Sequence, residues 1–253
     1  MKLTAILRIK NQMLTIDECL TKLSELADEI IVLDNGSTDG TLDAYKKYPK
    51  VKKILHTVGF DEGRDKIMLL SEAKKSGADW IIWTDGDEIF EKHMTRKVME
   101  GYMDSKYNRI VFRMCNFWLS KERCRYDHEY YLYTLHPQRS MWRNMESAYF
   151  KNLVIHNGDI QGVPGRPYLS PYRLKHYGYV YKDKILEKMK TYISADKDKG
   201  RDYKATIDPE LNFKSFRYYE FDNEFLNYLY INLYKYILNF LWIVERLRLK
   251  LKQ

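Results

Sequence analysis

Apolar segments typical of strands alternate with segments typical of helices between Leu3 and Thr84. The predicted strands cover residues 3–9, 29–33, 51–56 and 80–84, and the predicted helices cover residues 16–26, 41–48 and 64–75. Each strand is thus joined to the next by a crossover helix, which gives parallel strands with helices on both faces of the sheet. The sequence predicts an α/β fold.

Three carboxylates follow the fourth predicted strand directly. Asp85, Asp87 and Glu88 come straight after the apolar run at 80–84. Clustered carboxylates repel one another unless a cation lies among them. The carboxyl ends of strands in an open α/β sheet are also where ligands bind. We therefore expect a divalent metal over this edge of the sheet, placed to neutralise a phosphate.

The length and charge of the chain limit its class. A chain of 253 residues is long enough for one large domain with an appended segment. Its 43 Lys and Arg against 35 Asp and Glu give a formal charge of +8. This charge favours anionic partners such as nucleotides, phosphorylated substrates or acidic lipid surfaces. Nucleic acid is not expected, because no basic run is interleaved with aromatic residues.

The cysteines and the amino terminus bear on the compartment. Cys19, Cys115 and Cys124 are odd in number and lack the spacing of a metal site. They are typical of a reducing compartment. Met1 leads directly into the first predicted strand, so we expect no signal peptide and a cytoplasmic protein.

The regular alternation of predicted strands and helices ends after Glu88. Residues 92–105 are predicted as a helix and 109–114 as a strand, followed by a polar, aromatic stretch with four prolines at 116–175. From Phe225 onward, apolar residues recur at steps of three and four, which predicts a long helix with an apolar seam. The seam consists of Leu226, Leu229, Leu233, Ile237, Phe240, Val244, Leu247 and Leu251.

Two motifs carry a resemblance to a known family. Leu33-Asp34-Asn35-Gly36-Ser37-Thr38-Asp39-Gly40-Thr41 follows one predicted strand, and Trp83-Thr84-Asp85-Gly86-Asp87-Glu88 follows another. In this order they resemble family 2 glycosyltransferases of the GT-A fold. The likeness covers residues 1–115 and is weaker beyond. It implies a mixed, mainly parallel sheet flanked by helices, with a C-terminal helical segment added.

Together with the apolar periodicity after Phe225, the resemblance predicts three parts of the chain with different roles. Residues 1–115 would bind the nucleotide sugar, and residues 116–222 would form the acceptor-facing half of the same domain. Residues 223–253 would be an amphipathic helix that contacts a membrane surface or another subunit. A membrane contact would place the cytoplasmic protein on the cytosolic face.

The resemblance assigns roles to the residues at the predicted strand ends. Asp34 would contact the nucleotide base, Asp85 the ribose or a metal-bound water, and Asp87 a Mg²⁺ or Mn²⁺ that bridges the diphosphate. Arg64 corresponds loosely to a family Arg that contacts the nucleotide. Arg8 and Asn11 are candidates for base or phosphate contacts from their place after the first predicted strand, where polar residues are also common without such a role. From the residues alone, Asp34 can equally stabilise its own turn, and Arg64 can lie on a solvated helix face.

The second half offers weaker assignments. The segment from Arg173 to Tyr179 resembles a His-containing segment of related domains, which makes His176 a candidate metal ligand or a satisfied structural residue. An imidazole beside carboxylates favours Mn²⁺. Some relatives carry a His-Glu pair at the position of His156-Asn157, with the Glu as general base.

An amide cannot accept the proton that a general base removes, so the base must lie elsewhere. Asp159 is the nearest carboxylate, and we name Asp159 and His156 as the catalytic candidates. Glu146, Asp127 and Glu129 stay open as alternatives for the base.

The resemblance thus implies a metal-dependent, hexosyltransferase-like enzyme, and inversion is inherited from the family. The donor would be a UDP- or GDP-linked sugar, the acceptor a hydroxyl of a glycan, lipid-linked or protein substrate, and the outcome inversion. Peripheral membrane contact and a homodimer are further expectations. One alternative is a sugar nucleotidyltransferase, although residues 8–12 lack the glycine-rich loop expected of it. Another is a non-catalytic module that binds nucleotide sugars.

Overall fold

A mixed β-sheet forms the centre of the protein, in a computed structural model that describes residues 1–126, 137, 139–155, 158–196 and 215–251. The strands are β1 (Leu3–Ile9), β2 (Glu29–Asp34), β3 (Val51–His56), β4 (Trp80–Asp85), β5 (Glu88–Phe90), β6 (Arg109–Trp118), β7 (Arg123–Arg125), β8 (Arg139–Arg143), β9 (Tyr168–Tyr179) and β10 (Ser215–Arg217). The helices are α1 (Ile16–Leu26), α2 (Thr41–Ala44), α3 (Glu62–Lys75), α4 (Arg96–Met103), α5 (Lys182–Ala195) and α6 (Glu224–Lys250).

The sheet has a parallel half and a mixed half. Its strand order is β10-β7-β6-β8-β4-β1-β2-β3, with β9 beside β6 and β5 beside β9. Strands β4, β1, β2 and β3 are parallel, whereas β8 runs antiparallel to both β4 and β6. Strand β9 is parallel to β6 and antiparallel to β5. The predicted α/β class with a mainly parallel, mixed sheet is confirmed.

Apolar layers cover both faces of the parallel half. Leu7 of β1 belongs to the layer that includes Leu20 and Leu23 of α1, while Ile6 belongs to the opposite layer with Leu69 of α3. Strands buried on both faces are nearly continuous in apolar residues, which explains why they could be read from the sequence. This packing fixes the carboxyl ends of β1, β2 and β4 at one edge.

Several element boundaries differ from the predictions for local reasons. Helix α3 begins earlier, at Glu62, because Asp61 caps it by accepting a hydrogen bond from the Arg64 N–H at 2.9 Å. Helix α2 ends at Ala44 and continues as a 3₁₀ turn. Thr15 directly precedes α1, but its hydroxyl donates to the Gly86 carbonyl at 2.9 Å and does not cap the helix.

Helix α6 packs on the domain with the face opposite to the predicted seam. Asn227, Ile231 and Leu238 are buried, and Ile231 joins the main apolar core. All eight seam residues are instead exposed, by 41% to 88%. The seam therefore does not dock on the catalytic domain, because the other face of α6 is apolar enough to do so. Among the described residues, no helix combines the length and apolarity needed to cross a membrane.

Candidate active site

A cavity of about 190 Å³ opens at the carboxyl edge of the parallel strands. Its floor includes Arg8 at the end of β1 and Asp85 at the end of β4, which are paired across the sheet. Asp87 follows in the turn after β4, and the far wall comes from α5, with Lys188 and Tyr192. The fold thus brings β1 and α5, which are far apart in the sequence, together around the acidic motif.

Asp87, His176 and Lys188 converge on one side of the cavity. The His176 Nε2 and the Lys188 Nζ each lie 3.5 Å from the Asp87 Oδ2, and they are 3.4 Å from each other. The His176 Nδ1 lies 2.7 Å from Oδ1 of Asn116. Because an amide oxygen only accepts, Nδ1 donates in this bond, and Nε2 is the ring nitrogen that faces Asp87.

Gly178 leaves room for this convergence. A Cβ at this position would lie 2.6 Å from the Asp87 Oδ2, 2.6 Å from the His176 Nε2 and 2.7 Å from the Lys188 Nζ. Three polar atoms therefore surround a space that any other residue would fill. The glycine is needed here for close approach and not for an unusual backbone angle.

A buried arginine organises the other two carboxylates. The Arg139 Nε donates to both oxygens of Glu88 at 2.9 Å, and its Nη2 donates to the Asp85 Oδ2 at 3.1 Å. The backbone N–H of Asp85 also donates to Glu88. Glu88 is fully engaged by these bonds, whereas Asp85 keeps one oxygen for the cavity.

The donor atoms fit a divalent cation. Among the described residues, Asp87, Glu88 and His176 place ligand atoms within 4.8 Å of one another. Carboxylate oxygens and an imidazole nitrogen suit Mn²⁺. Because Glu88 is held by Arg139, Asp87 and His176 are the better pair, with Asp85 the next carboxylate on the cavity wall. The Lys188 ammonium lies where it balances the charge of Asp87 in the absence of a metal.

The charges of the site shift its pKa values in opposite directions. Burial alone would raise the pKa of Asp87, but Lys188 and His176 outweigh it and hold the pKa far below its ordinary range. Burial and then the neighbouring Glu88 raise the pKa of Asp85, against the opposing charge of Arg139. Burial would lower the pKa of Lys188, yet Asp87 raises it well above its ordinary value. Lys188 therefore stays a cation.

Of the predicted nucleotide contacts, Arg8 and Asn11 line the cavity. The Arg8 guanidinium lies 4.9 Å from the centre of the Phe60 ring. Asn11 has a left-handed backbone, with φ 52°, and its Oδ1 accepts a hydrogen bond from the Thr38 N–H at 2.8 Å. Contact of either residue with a nucleotide stays a prediction.

Asp34 lies beneath the cavity and is 1% exposed. One carboxylate oxygen accepts from the Ser37 N–H at 2.7 Å, and the other accepts from the Tyr45 hydroxyl at 2.9 Å. The structure thus gives Asp34 the turn-stabilising contacts that were its alternative role. Its neighbour Asn35 lines the cavity in its place, a residue that the sequence analysis did not single out.

Arg64 turns away from the cavity as the structure describes it. Its guanidinium donates to the carbonyls of Val58 and Gly59, at 3.2 and 2.8 Å, and pairs with Asp65 at 2.8 Å. These bonds hold the loop that carries Phe60 into the cavity wall. Arg64 is therefore placed to shape the cavity, and a direct contact with the nucleotide stays a prediction.

Of the two catalytic candidates, only Asp159 lies within the described residues. The Ser140 hydroxyl lies 2.8 Å from both carboxylate oxygens of Asp159 and donates its one proton to them, and the Ile160 N–H donates to Oδ1 at 2.8 Å. Burial raises its pKa, against the hydrogen bonds and the charge of Arg139. His156, Asn157, Asp127 and Glu129 lie outside the described residues. Glu146 is exposed, and its carbonyl accepts from Lys74 on the far side of α3.

Lys188 and Arg139 are the functional residues that the sequence did not reveal. Lys188 lies one turn after Lys184 and one turn before Tyr192 on α5, so the spacing contained a weak sign of a shared face. Nothing local distinguishes it from the other lysines of that helix. Arg139 shows no local sign at all, because only the β4–β8 pairing brings it to Asp85.

Comparisons with known proteins agree with this architecture. The family model described as Glycosyl transferase family 2 matches residues 4–158. The "Putative teichuronic acid biosynthesis glycosyltransferase TuaG" of Bacillus subtilis (strain 168) is 27% identical over 77 residues, which are 30% of this chain. That match spans 31% of the length of the relative.

Solved structures show the same fold. The S. aureus TarS 1–349 structure with UDP superposes with a TM-score of 0.50 at 16% identity, covering 81% of this chain and 68% of that one. The corresponding TarS structure with UDP-GlcNAc gives a TM-score of 0.52 at 17% identity, covering 81% and 69%. At this identity the likeness concerns the fold, and it agrees with the architecture expected from the two motifs.

Proposed function

Because the chain belongs to glycosyl transferase family 2, we propose that it transfers a sugar from a nucleoside diphosphate donor to an acceptor hydroxyl. Membership confirms the predicted family and enzyme class. The observation that carries the proposal for this chain is the cavity at the carboxyl edge of the sheet, which Asp85, Asp87 and Lys188 line and where His176 contacts Asp87.

The nucleoside would lie along the β1 edge. Arg8 and Asn11 line that wall, and the amide of Asn35 is oriented by bonds to Thr57 and Gly59 at 2.8 Å each. Asp34, beneath them, would support the base through its turn or reach it directly. We propose a UDP- or GDP-linked donor. With its nucleoside along the β1 edge, the diphosphate points toward the acidic motif.

The diphosphate would meet positive charge on the opposite wall. Lys188 is a partly buried cation next to Asp87, and Arg8 adds a guanidinium from β1. When bound, Mn²⁺ or Mg²⁺ would neutralise charge that builds up on the leaving diphosphate. Asp87 and His176 would hold it, with Asp85 as the nearest additional carboxylate.

The acceptor hydroxyl would lose its proton to a carboxylate while its oxygen attacks the anomeric carbon with inversion. Asp159 is the candidate, because burial raises its pKa toward the range in which a carboxylate works as a base. It lies within the electrostatic reach of Arg139, which also binds Asp85. His156 remains the second candidate. The three cysteines are free and buried, which favours a reducing, cytoplasmic compartment for the reaction.

A donor panel tests the proposed function. UDP- and GDP-sugars are incubated with the full chain and Mn²⁺, and released nucleoside diphosphate is measured with and without EDTA. At least one donor should be hydrolysed in a metal-dependent manner by the wild type. Asp87→Asn should remove this activity, while Asp43→Asn, an exposed carboxylate paired with Lys46, should leave it unchanged.

The same experiment separates the alternatives. A non-catalytic module would bind nucleoside diphosphates but release none from any donor. A sugar nucleotidyltransferase would instead form a nucleotide sugar from a nucleoside triphosphate and a sugar phosphate. Either result in place of donor hydrolysis would overturn the proposal.

A further inference from the structure

Helix α6 presents a broad apolar surface to the outside. At 100° per residue, the seam together with Tyr236 and Ile243 covers an arc of about 120°. Leu233, Tyr236 and Phe240 are 65%, 68% and 66% exposed. A helix of 27 residues is about 40 Å long, so this surface exceeds the isolated apolar patches of ordinary monomers.

The opposite face fixes the helix to the domain. The Asn227 Oδ1 accepts from the Phe221 N–H at 3.1 Å, and Arg113 donates to Asn239. The Lys235 ammonium lies 5.4 Å from the centre of the Tyr168 ring. Because α6 is folded and anchored on the inner side, its outer arc is already arranged for a partner.

The charges around the arc are basic. On the helix wheel, Arg246 lies beyond one border of the arc and Arg248 beyond the other. Of the acidic residues of α6, Glu245 is buried on the inner face and pairs with Arg248 at 2.9 Å. Tyr236 gives the first of these borders an aromatic side chain. Trp242, whose ring lies 5.0 Å from the Arg246 guanidinium, stands on the inner side of the helix.

We propose that α6 lies in the plane of an anionic lipid surface, with its outer arc inserted among the headgroups. An apolar arc with basic and aromatic borders is the pattern of interfacial helices. A second copy of the chain is the less suitable occupant, because a two-stranded seam uses only the a and d positions. In either heptad register, pairing would leave part of the arc exposed: Leu229, Tyr236 and Ile243 in one register, Ile237 and Val244 in the other. A planar lipid surface covers the whole arc.

Vesicle flotation with the full chain tests the proposal. Wild type should float with phosphatidylglycerol-containing vesicles and much less with pure phosphatidylcholine. Leu233→Glu with Phe240→Glu should lower the partition coefficient about tenfold or more. The control is Val58→Glu with Ile67→Glu, which replaces two exposed apolar residues outside α6 and changes the charge equally. It should float like wild type.

Two further measurements refine the test. Arg246→Gln should weaken partition onto anionic vesicles about fivefold, with no change on neutral ones. Four of the five tryptophans are at most 2% exposed, so quenching of wild-type fluorescence by brominated lipid reports on Trp242. This measurement needs no variant and therefore stands even if a variant fails to fold.

Three results would overturn the proposal. Wild type could fail to float and show no quenching by brominated anionic lipid. Both double variants could float equally. Light scattering could instead show a wild-type dimer that Leu233→Glu with Phe240→Glu makes monomeric without any lipid binding, in which case a second copy covers the arc.

Discussion

At the residue scale, the site depends on a glycine as much as on its carboxylates. Asp87 and His176 come from segments far apart in the chain, and Lys188 reaches them from α5. Their polar atoms can approach only because Gly178 has no side chain. The convergence therefore needs both charged side chains and the space that Gly178 leaves, so a substitution as small as one methyl group at Gly178 tests it.

Gly178→Ala should reduce turnover about a hundredfold, because its Cβ would displace the polar atoms of Asp87, His176 and Lys188. A displacement of about 1 Å in an active site can lower the rate by this factor. Gly101→Ala is the matched control. Gly101 lies in α4 with no atom near its Cβ position, so the change should stabilise the fold by about 0.5–1 kcal/mol and leave turnover unchanged. Initial rates and melting temperatures check both. Full activity in Gly178→Ala would show that the convergence is not used.

Lys188→Met should raise the donor KM about ten- to hundredfold, because it removes a charge-assisted contact to the diphosphate worth roughly 1.5–3 kcal/mol. It should not weaken Mn²⁺ binding, since Asp87 loses a competing cation. Steady-state kinetics and calorimetry with Mn²⁺ alone measure the two effects. Lys190→Met, on the exposed side of the same helix, is the control. An unchanged KM in Lys188→Met would remove the lysine from the donor site.

Asp39→Asn should destabilise the protein at neutral pH but not in acid. Burial favours the protonated form of Asp39, yet hydrogen bonds from Thr41 and from the Met13 N–H lower the pKa below its ordinary 3.8. A lowered pKa in the fold gives stability that is present above about pH 4 and is lost as the pH falls through the folded value.

The melting temperatures of wild type and Asp39→Asn should therefore converge below that value. Asp104→Asn, which removes an exposed carboxylate after α4, provides the control for the loss of one negative charge. A difference between Asp39→Asn and wild type that stays constant from neutral to strongly acidic pH would contradict the assigned hydrogen bonds.

At the scale of elements, the parallel half could be predicted and the mixed half could not. Strands β1, β2 and β4 are buried on both faces and alternate locally with helices, so their sequence carries the signal. Strand β3 is the exposed edge strand of this half. Strands β7 and β10 have only three residues each, and β9 pairs with a strand more than fifty residues earlier. Such pairings have no local signature. In α6 the periodicity was correct, but two apolar faces made the docked one ambiguous.

Helix α3 offers a test at this scale. Asp61→Ala removes the cap at the Arg64 N–H and should cost about 1 kcal/mol. The donor KM should also rise, because the first turn of α3 holds the loop that carries Phe60 into the cavity wall. Thr95→Ala removes the cap of α4, which does not contribute to the cavity, and should cost stability alone. Equal donor KM values in the two variants would show that the first turn of α3 does not contribute to donor binding.

At the scale of the whole molecule, the sequence located the acidic edge but not its surroundings. Arg8, Asp85 and Asp87 were predictable because each stands at the end of a recognisable strand or in the turn after it. Lys188, Arg139 and Gly178 acquire their roles only when the second half folds back over that edge. The proposed donor site is thus assembled by tertiary structure, and in this proposal a nucleoside diphosphate binds with a cation between it and the carboxylates.

Calorimetric titration of UDP and GDP tests this central point most directly. With Mn²⁺ present, at least one nucleotide should bind wild type clearly more tightly than in EDTA, because Asp85 and Asp87 otherwise face its phosphates unshielded. In Asp87→Asn the gain from Mn²⁺ should disappear while the melting temperature is maintained. Equal affinities in wild type with Mn²⁺ and with EDTA, for both nucleotides, would contradict a metal-assisted donor site.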